Sequence, residues 1–179
     1  CSPGAAQPER NARSPPRERV CTTMLSPKNA GIRTTADATV TVAAIIPRSD
    51  SFLLVEERPG DSLVINQPAG HLDEGESLLE AVVRETREET GWEVAPKGLV
   101  GVYRWQNSER TFIRFVFVCD PVRHYPDELL DQPVEGILWM SREDLSQVGE
   151  RLRSPMVLRC VDDFLAGRVY PLEVLQDLG

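Results

Sequence analysis

Hydrophobic and polar positions divide the chain into an unpatterned stretch and a patterned remainder. Residues 1–36 show neither the two-residue alternation of a strand nor the three-to-four-residue repeat of a helix. They are rich in Pro, Arg, Ser, Ala and Thr, a composition that predicts a disordered N-terminal tail. Patterning begins near Ala38, so residues 37–179 are assigned to one folded domain. Residues 39–46 are β-branched and apolar, Ser49-Asp50-Ser51 supplies a turn, and residues 52–57 form a second apolar run; together they predict a β-hairpin. Residues 76–90 carry good helix formers, with Gly91 placed just past the end as a left-handed cap. Strands are predicted over 99–105, 111–119 and 134–140, with a turn at Asn107-Ser108. Ser141 is a candidate N-cap, and Ser154-Pro155 opens a last helix that Gly167 ends. Paired strands interleaved with helices point to an α/β (α+β) fold with a mixed, largely antiparallel sheet packed between helices.

Composition adjusts this picture in three ways. The chain has 179 residues and is 41% apolar, enough for one core. No apolar run approaches a membrane span, no N-terminal h-region is present, and Met24 is read as a natural start close to the first strand. Cys1, Cys21, Cys119 and Cys160 show no C-x-x-C spacing, which predicts free or buried thiols in a reducing, cytoplasmic setting. The net charge of −8 argues against a general nucleic-acid binder. It also means that an anionic substrate needs a cationic intermediary, such as bound divalent metal.

The candidate chemistry lies on the helix over residues 76–90. At about 100° per residue, Glu85, Glu88 and Glu89 share one arc. Leu79, Val82, Val83, Thr86 and Thr90 form a neighbouring arc that packs on a sheet. Crowded carboxylates repel one another unless a hard cation such as Mg²⁺, which prefers oxygen ligands, lies between them. Taken alone, an acidic helix face is a solvated surface with arginine partners. The wider spacing changes that reading. Gly70, Glu76, Arg84, Glu85, Glu88, Glu89 and Gly91 spell G-x5-E-x7-R-E-x-x-E-E-x-G. Chance would produce it on the order of once per million chains of this length.

This pattern resembles the signature of the Nudix hydrolase superfamily. Thr86 and Trp92 depart from its aliphatic preferences without removing a carboxylate. The resemblance implies a Nudix-type α/β/α sandwich and Mg²⁺-dependent hydrolysis of phosphoanhydrides, with Mn²⁺ as a substitute. It implies Gly70, Glu85, Glu88 and Glu89 as metal ligands, Glu76 as an orienting partner of Arg84, and Glu85, Glu88 and Arg84 in catalysis; which carboxylate is the base stays open. Residues 66–72 (Asn-Gln-Pro-Ala-Gly-His-Leu), 112–115, 152–155 and 170–173 are similar to the NudJ-type phosphatase subgroup. That likeness implies a monomer acting on small molecules: nucleoside di- and triphosphates, hydroxymethylpyrimidine pyrophosphate and thiamine pyrophosphate. Nucleic acid and membrane are not expected as partners. Asn66, Gln67, Arg104, Trp105 and Arg114 are the substrate-contact candidates, with Trp105 able to stack on a ring and Arg114 to grip phosphate. His71 adjoins the motif. The rival reading is a non-catalytic Nudix-fold domain that senses a nucleotide or regulates a partner; such domains lose signature glutamates that this chain retains.

Overall fold

The computed structural model describes residues 38–178. The expected tail over residues 1–36, with Cys1, Cys21 and Met24, lies outside the described residues. The strands in chain order are β1 (Ala38–Ile45), β2 (Pro47–Arg48), β3 (Ser51–Glu57), β4 (Val64–Asn66), β5 (Ala69–His71), β6 (Trp92–Gln106), β7 (Thr111–His124) and β8 (Val134–Ser141). The helices are α1 (Leu78–Thr90), α2 (Arg142–Val148) and α3 (Met156–Leu165).

Two four-stranded sheets form, where the apolar pattern predicts one. The first runs β5-β1-β7-β6 and is mixed, because β1 pairs parallel with β7 and antiparallel with β5. The second is antiparallel: β3 pairs β8 along one edge and β2 and β4 along the other. The expected hairpin is accordingly corrected. Pro47 and Arg48 turn back onto Phe52 and Ser51, and the Leu53 N–H donates to the Ile46 carbonyl at 3.0 Å, while β1 belongs to the other sheet. The physical reason is burial on both faces. Val42 to Ile46 are all buried, so β1 needs neighbours on both edges and cover on both sides.

Side-chain alternation along β1 feeds two cores. Ala43 and Ile45 join Leu145, Val157 and Val161 from α2 and α3. Val42, Ala44 and Ile46 join Ala81 and Val82 from α1. Helices thus cover opposite faces of the mixed sheet, the layering of an α/β/α sandwich. Cys119 and Cys160 are free and buried, and burial pushes their thiols up to about 12 and about 11. After α3 the chain returns to β6, where Leu99 and Tyr170 exchange both backbone hydrogen bonds at 2.8 Å. Gly98 makes the approach possible, since a Cβ there would meet Val169 Cγ1 at 2.4 Å. No helix among the described residues is long and apolar enough to cross a membrane.

Candidate active site

The site is built from α1 and the loop that leads into it. Ser77 is the N-cap: its hydroxyl accepts the Glu80 N–H, and the Glu80 carboxylate accepts the Ser77 N–H in return. The helix therefore starts two residues later than the sequence pattern predicts, and Glu76 lies ahead of it. Gly91 ends it at φ 67°, with its N–H donating to Arg87 at 2.7 Å.

Placed before the cap, Glu76 accepts the Asp73 N–H at 2.7 Å and two bonds from Arg84 at 2.6 and 3.0 Å. The Arg84 hydrogen bond is the chief reason its carboxyl lies below the usual range. The same guanidinium donates to Glu85 at 2.9 Å, to Glu88 at 3.0 Å and to the His71 carbonyl at 3.1 Å. One arginine thus holds three signature glutamates, and those hydrogen bonds push its own pKa upward.

Glu85 and Glu89 turn inward. Glu85 packs on the backbone of Gly70, where an added Cβ would fall 2.0 Å from its carboxyl carbon. Burial raises the Glu85 pKa despite the bond from Arg84. Glu89 is 8% exposed, and its Oε2 accepts the Ala69 N–H at 2.8 Å. Burial pushes it up to about 8, reinforced by the charges of Glu57 and Glu85 and opposed by the Ala69 bond and by Arg114. Glu88 is more exposed and is held by Arg84, outside the cavity that Glu85 and Glu89 line.

That cavity, of about 610 Å³, runs from Gly70, Glu85 and Glu89 past Asn66 and Arg114 to Trp105 and Phe112. Trp105 and Phe112 stack at 5.7 Å. Arg114 is buried, donates to Asn66 Oδ1 at 3.4 Å, and has a pKa lowered by desolvation. His71 reaches the rim. The structure therefore brings Asn66, Trp105 and Arg114 together with the carboxylates.

Two of the candidate contact residues lie outside the cavity lining. Arg104 alternates away from Tyr103 and Trp105 along β6, is exposed, and bonds Gln106 at 2.6 Å. Gln67 is 1% exposed and sits beside the Cys160 thiol of α3, outside the cavity lining. Thr41, Glu57 and Arg153 also line the cavity, and the sequence assigns none of them a contact there. Glu57 ends the apolar run over residues 52–57 and is buried, which is unusual for a glutamate.

Among the described residues, no three His, Cys, Asp or Glu side chains form a ready-made metal cluster. The donors nevertheless suit a hard cation. They are carboxylate oxygens, burial disfavours their charge in the absence of a counter-ion, and Gly70 leaves a cradle that any Cβ would fill.

These features have a family. The chain belongs to the Nudix hydrolases: it matches the NUDIX domain over residues 37–159, and it is an enzyme acting on phosphorus-containing anhydrides. Phosphatase NudJ of Escherichia coli strain K12 is 36% identical over 141 residues, covering 78% of this chain and 92% of NudJ. A NUDIX hydrolase from Nitrosomonas europaea superposes with a TM-score of 0.77 at 41% identity, covering 78% of this chain and 97% of that one. A bifunctional NMN adenylyltransferase/ADP ribose pyrophosphatase from Francisella tularensis, solved with AMP and a manganese ion, shares the fold. Its TM-score is 0.62 at 17% identity, over 75% of this chain and 43% of its own.

Proposed function

We propose that this chain is a Mg²⁺-dependent hydrolase of small organic pyrophosphates that releases inorganic phosphate. The substrates in view are nucleoside di- and triphosphates, hydroxymethylpyrimidine pyrophosphate and thiamine pyrophosphate. The reading rests on one observation: Glu85 seated on Gly70 beside buried Glu89, opening onto a cavity that also holds Arg114 and Trp105. The similarity to Phosphatase NudJ supports release of a terminal phosphate.

Gly70, Glu85, Glu88 and Glu89 would hold the cation, and Mn²⁺ would substitute for Mg²⁺. The bound cation supplies neutralisation of phosphate oxygens and a lowered pKa for water. The remaining work falls to the chain. Arg84, held by Glu76, fixes the directions of Glu85 and Glu88. Arg114 meets phosphate oxygens, and Trp105 offers its ring face to the organic group. Water attacks phosphorus, the anhydride P–O bond breaks, and a glutamate of α1 takes the proton.

The test is a phosphate-release screen over these compounds, ADP-ribose and a diadenosine polyphosphate, with and without EDTA. Small pyrophosphates are expected to lead, with activity lost in EDTA and restored by Mg²⁺ or Mn²⁺. A tenfold preference for ADP-ribose or the diadenosine compound would overturn the substrate reading, and full turnover in EDTA the metal reading.

A further inference from the structure

The wall of the cavity contains buried polar atoms that no described residue satisfies. Glu57 is 6% exposed, and its Oε1 accepts no hydrogen bond; Arg153 Nε stands 3.7 Å away, an ion pair without a bond. Thr41, 4% exposed, has an unpartnered hydroxyl. Arg114 Nε, on the same wall, is likewise without an acceptor. A buried polar group left unmet is destabilising, so three beside one cavity point to a ligand that meets them.

The unmet groups differ in sense. Arg114 can only donate, and a phosphate oxygen suits it. An ionised Glu57 can only accept, and phosphate cannot serve it, because phosphate also brings acceptors and negative charge. Thr41 can do either. The complement of this wall is therefore an anionic, acceptor-rich group joined to an organic group that carries an N–H or O–H donor.

We propose that Glu57, with Thr41 lining the same cavity, forms a subsite that accepts a hydrogen bond from the donor-bearing organic group of the substrate. The subsite rests on the hydrolase function proposed above and adds a specificity determinant to it. It selects phosphorylated amines and alcohols, such as amino-substituted rings and sugars, over phosphate compounds that carry no donor. Glu57 acts through recognition and leaves the cation to the carboxylates of α1.

The experiment compares wild type with Glu57→Gln and Glu57→Ala on CTP, dCTP, UTP and methyl triphosphate. Gln keeps the size of the side chain and loses its charge, and thermal melts establish that each variant is folded. The measured quantity is kcat/KM for each nucleotide divided by that for methyl triphosphate. This ratio is expected to fall at least tenfold in both variants. A loss confined to CTP and dCTP assigns the donor to the exocyclic amine, and one confined to CTP and UTP assigns it to the 2′-hydroxyl. An unchanged ratio would overturn the subsite. So would a loss of Mn²⁺ binding by calorimetry in Glu57→Gln, without nucleotide, as large as that in Glu85→Gln, since that makes Glu57 a metal ligand. If wild type hydrolyses none of these compounds, the failure lies with the proposed function instead.

Discussion

Gly70 has its strongest effect through an atom it lacks. A Cβ there would overlap the Glu85 carboxyl carbon at 2.0 Å, so Gly70→Ala must displace that carboxylate. The obstacle is the far end of a side chain, so the fold survives. The expected result is a melting temperature within a few degrees of wild type and kcat/KM lower by about 10²-fold or more, the cost of misplacing a reacting group by about 1 Å. An alanine variant with full activity would remove Gly70 from the site. Glu89→Gln separates charge from shape, because Gln still accepts the Ala69 N–H. Its rate should fall roughly 10²–10⁴-fold. Its melting temperature at neutral pH should hold or rise, since burial penalises the ionised glutamate it replaces. A drop in both would mark Glu89 as structural. Glu85, Glu88 and Glu89 were legible in the sequence because one helix carries them at fixed angular spacing. Thr41, Glu57 and Arg153 were not, because β1, β3 and the loop before α3 meet only through strand pairing and packing.

Helix α3 is secured by Asp163, which accepts from Tyr103 at 3.0 Å, Arg159 at 2.9 Å and Arg168 at 3.0 Å. Burial alone would raise its pKa, but the bonds from Arg159 and Tyr103 and the charges of Arg159 and Arg168 outweigh it. The carboxyl lies below its ordinary 3.8. A folded pKa below the unfolded one gives stability that is full above 3.8 and is lost as pH falls through the lowered value. Asp163→Asn should therefore cost about 1–2 kcal/mol at neutral pH, within the range for one charged hydrogen-bond network. Urea melts should show that difference shrinking below pH 4, as judged from the ordinary carboxyl value. A gap that stays constant down to pH 2, well below that range, would assign it to packing. Element types were largely legible from periodicity and caps, as Ser141, Gly91 and Gly167 show. Partners were not: apolar runs on either side of a turn look like a hairpin whether they pair or part into two sheets.

At the scale of the whole domain, two cores and the site share β1. Its side chains point alternately toward α1 and toward α2 and α3. Thr41 of the same strand lines the cavity. The carboxylates of α1 and the wall beyond them are thus held by one central strand. The net charge of −8 bears on the proposed function: an approaching polyphosphate would meet repulsion that a bound cation would offset. The two sides of the cavity differ in kind: α1 contributes the carboxylates of Glu85 and Glu89, and Trp105 and Phe112 contribute stacked rings.

The return of the chain onto β6 has a consequence for proteolysis. Arg168 is exposed and is a cleavage site for trypsin by residue type. Yet the N–H groups of Arg168, Val169 and Tyr170 bond to Asp163, Gly167 and Leu99 in turn. A protease needs several residues of backbone released into its cleft, so the bond after Arg168 is cut only when this segment lifts. When lifting and closing outpace cleavage, the nicking rate reports the population of the lifted form. Gly98→Ala, which crowds Val169 at 2.4 Å, should raise that population. Limited trypsin digestion followed by mass spectrometry should show faster cutting after Arg168 in the variant. Equal rates would mean that the segment is held by something other than its seat on β6.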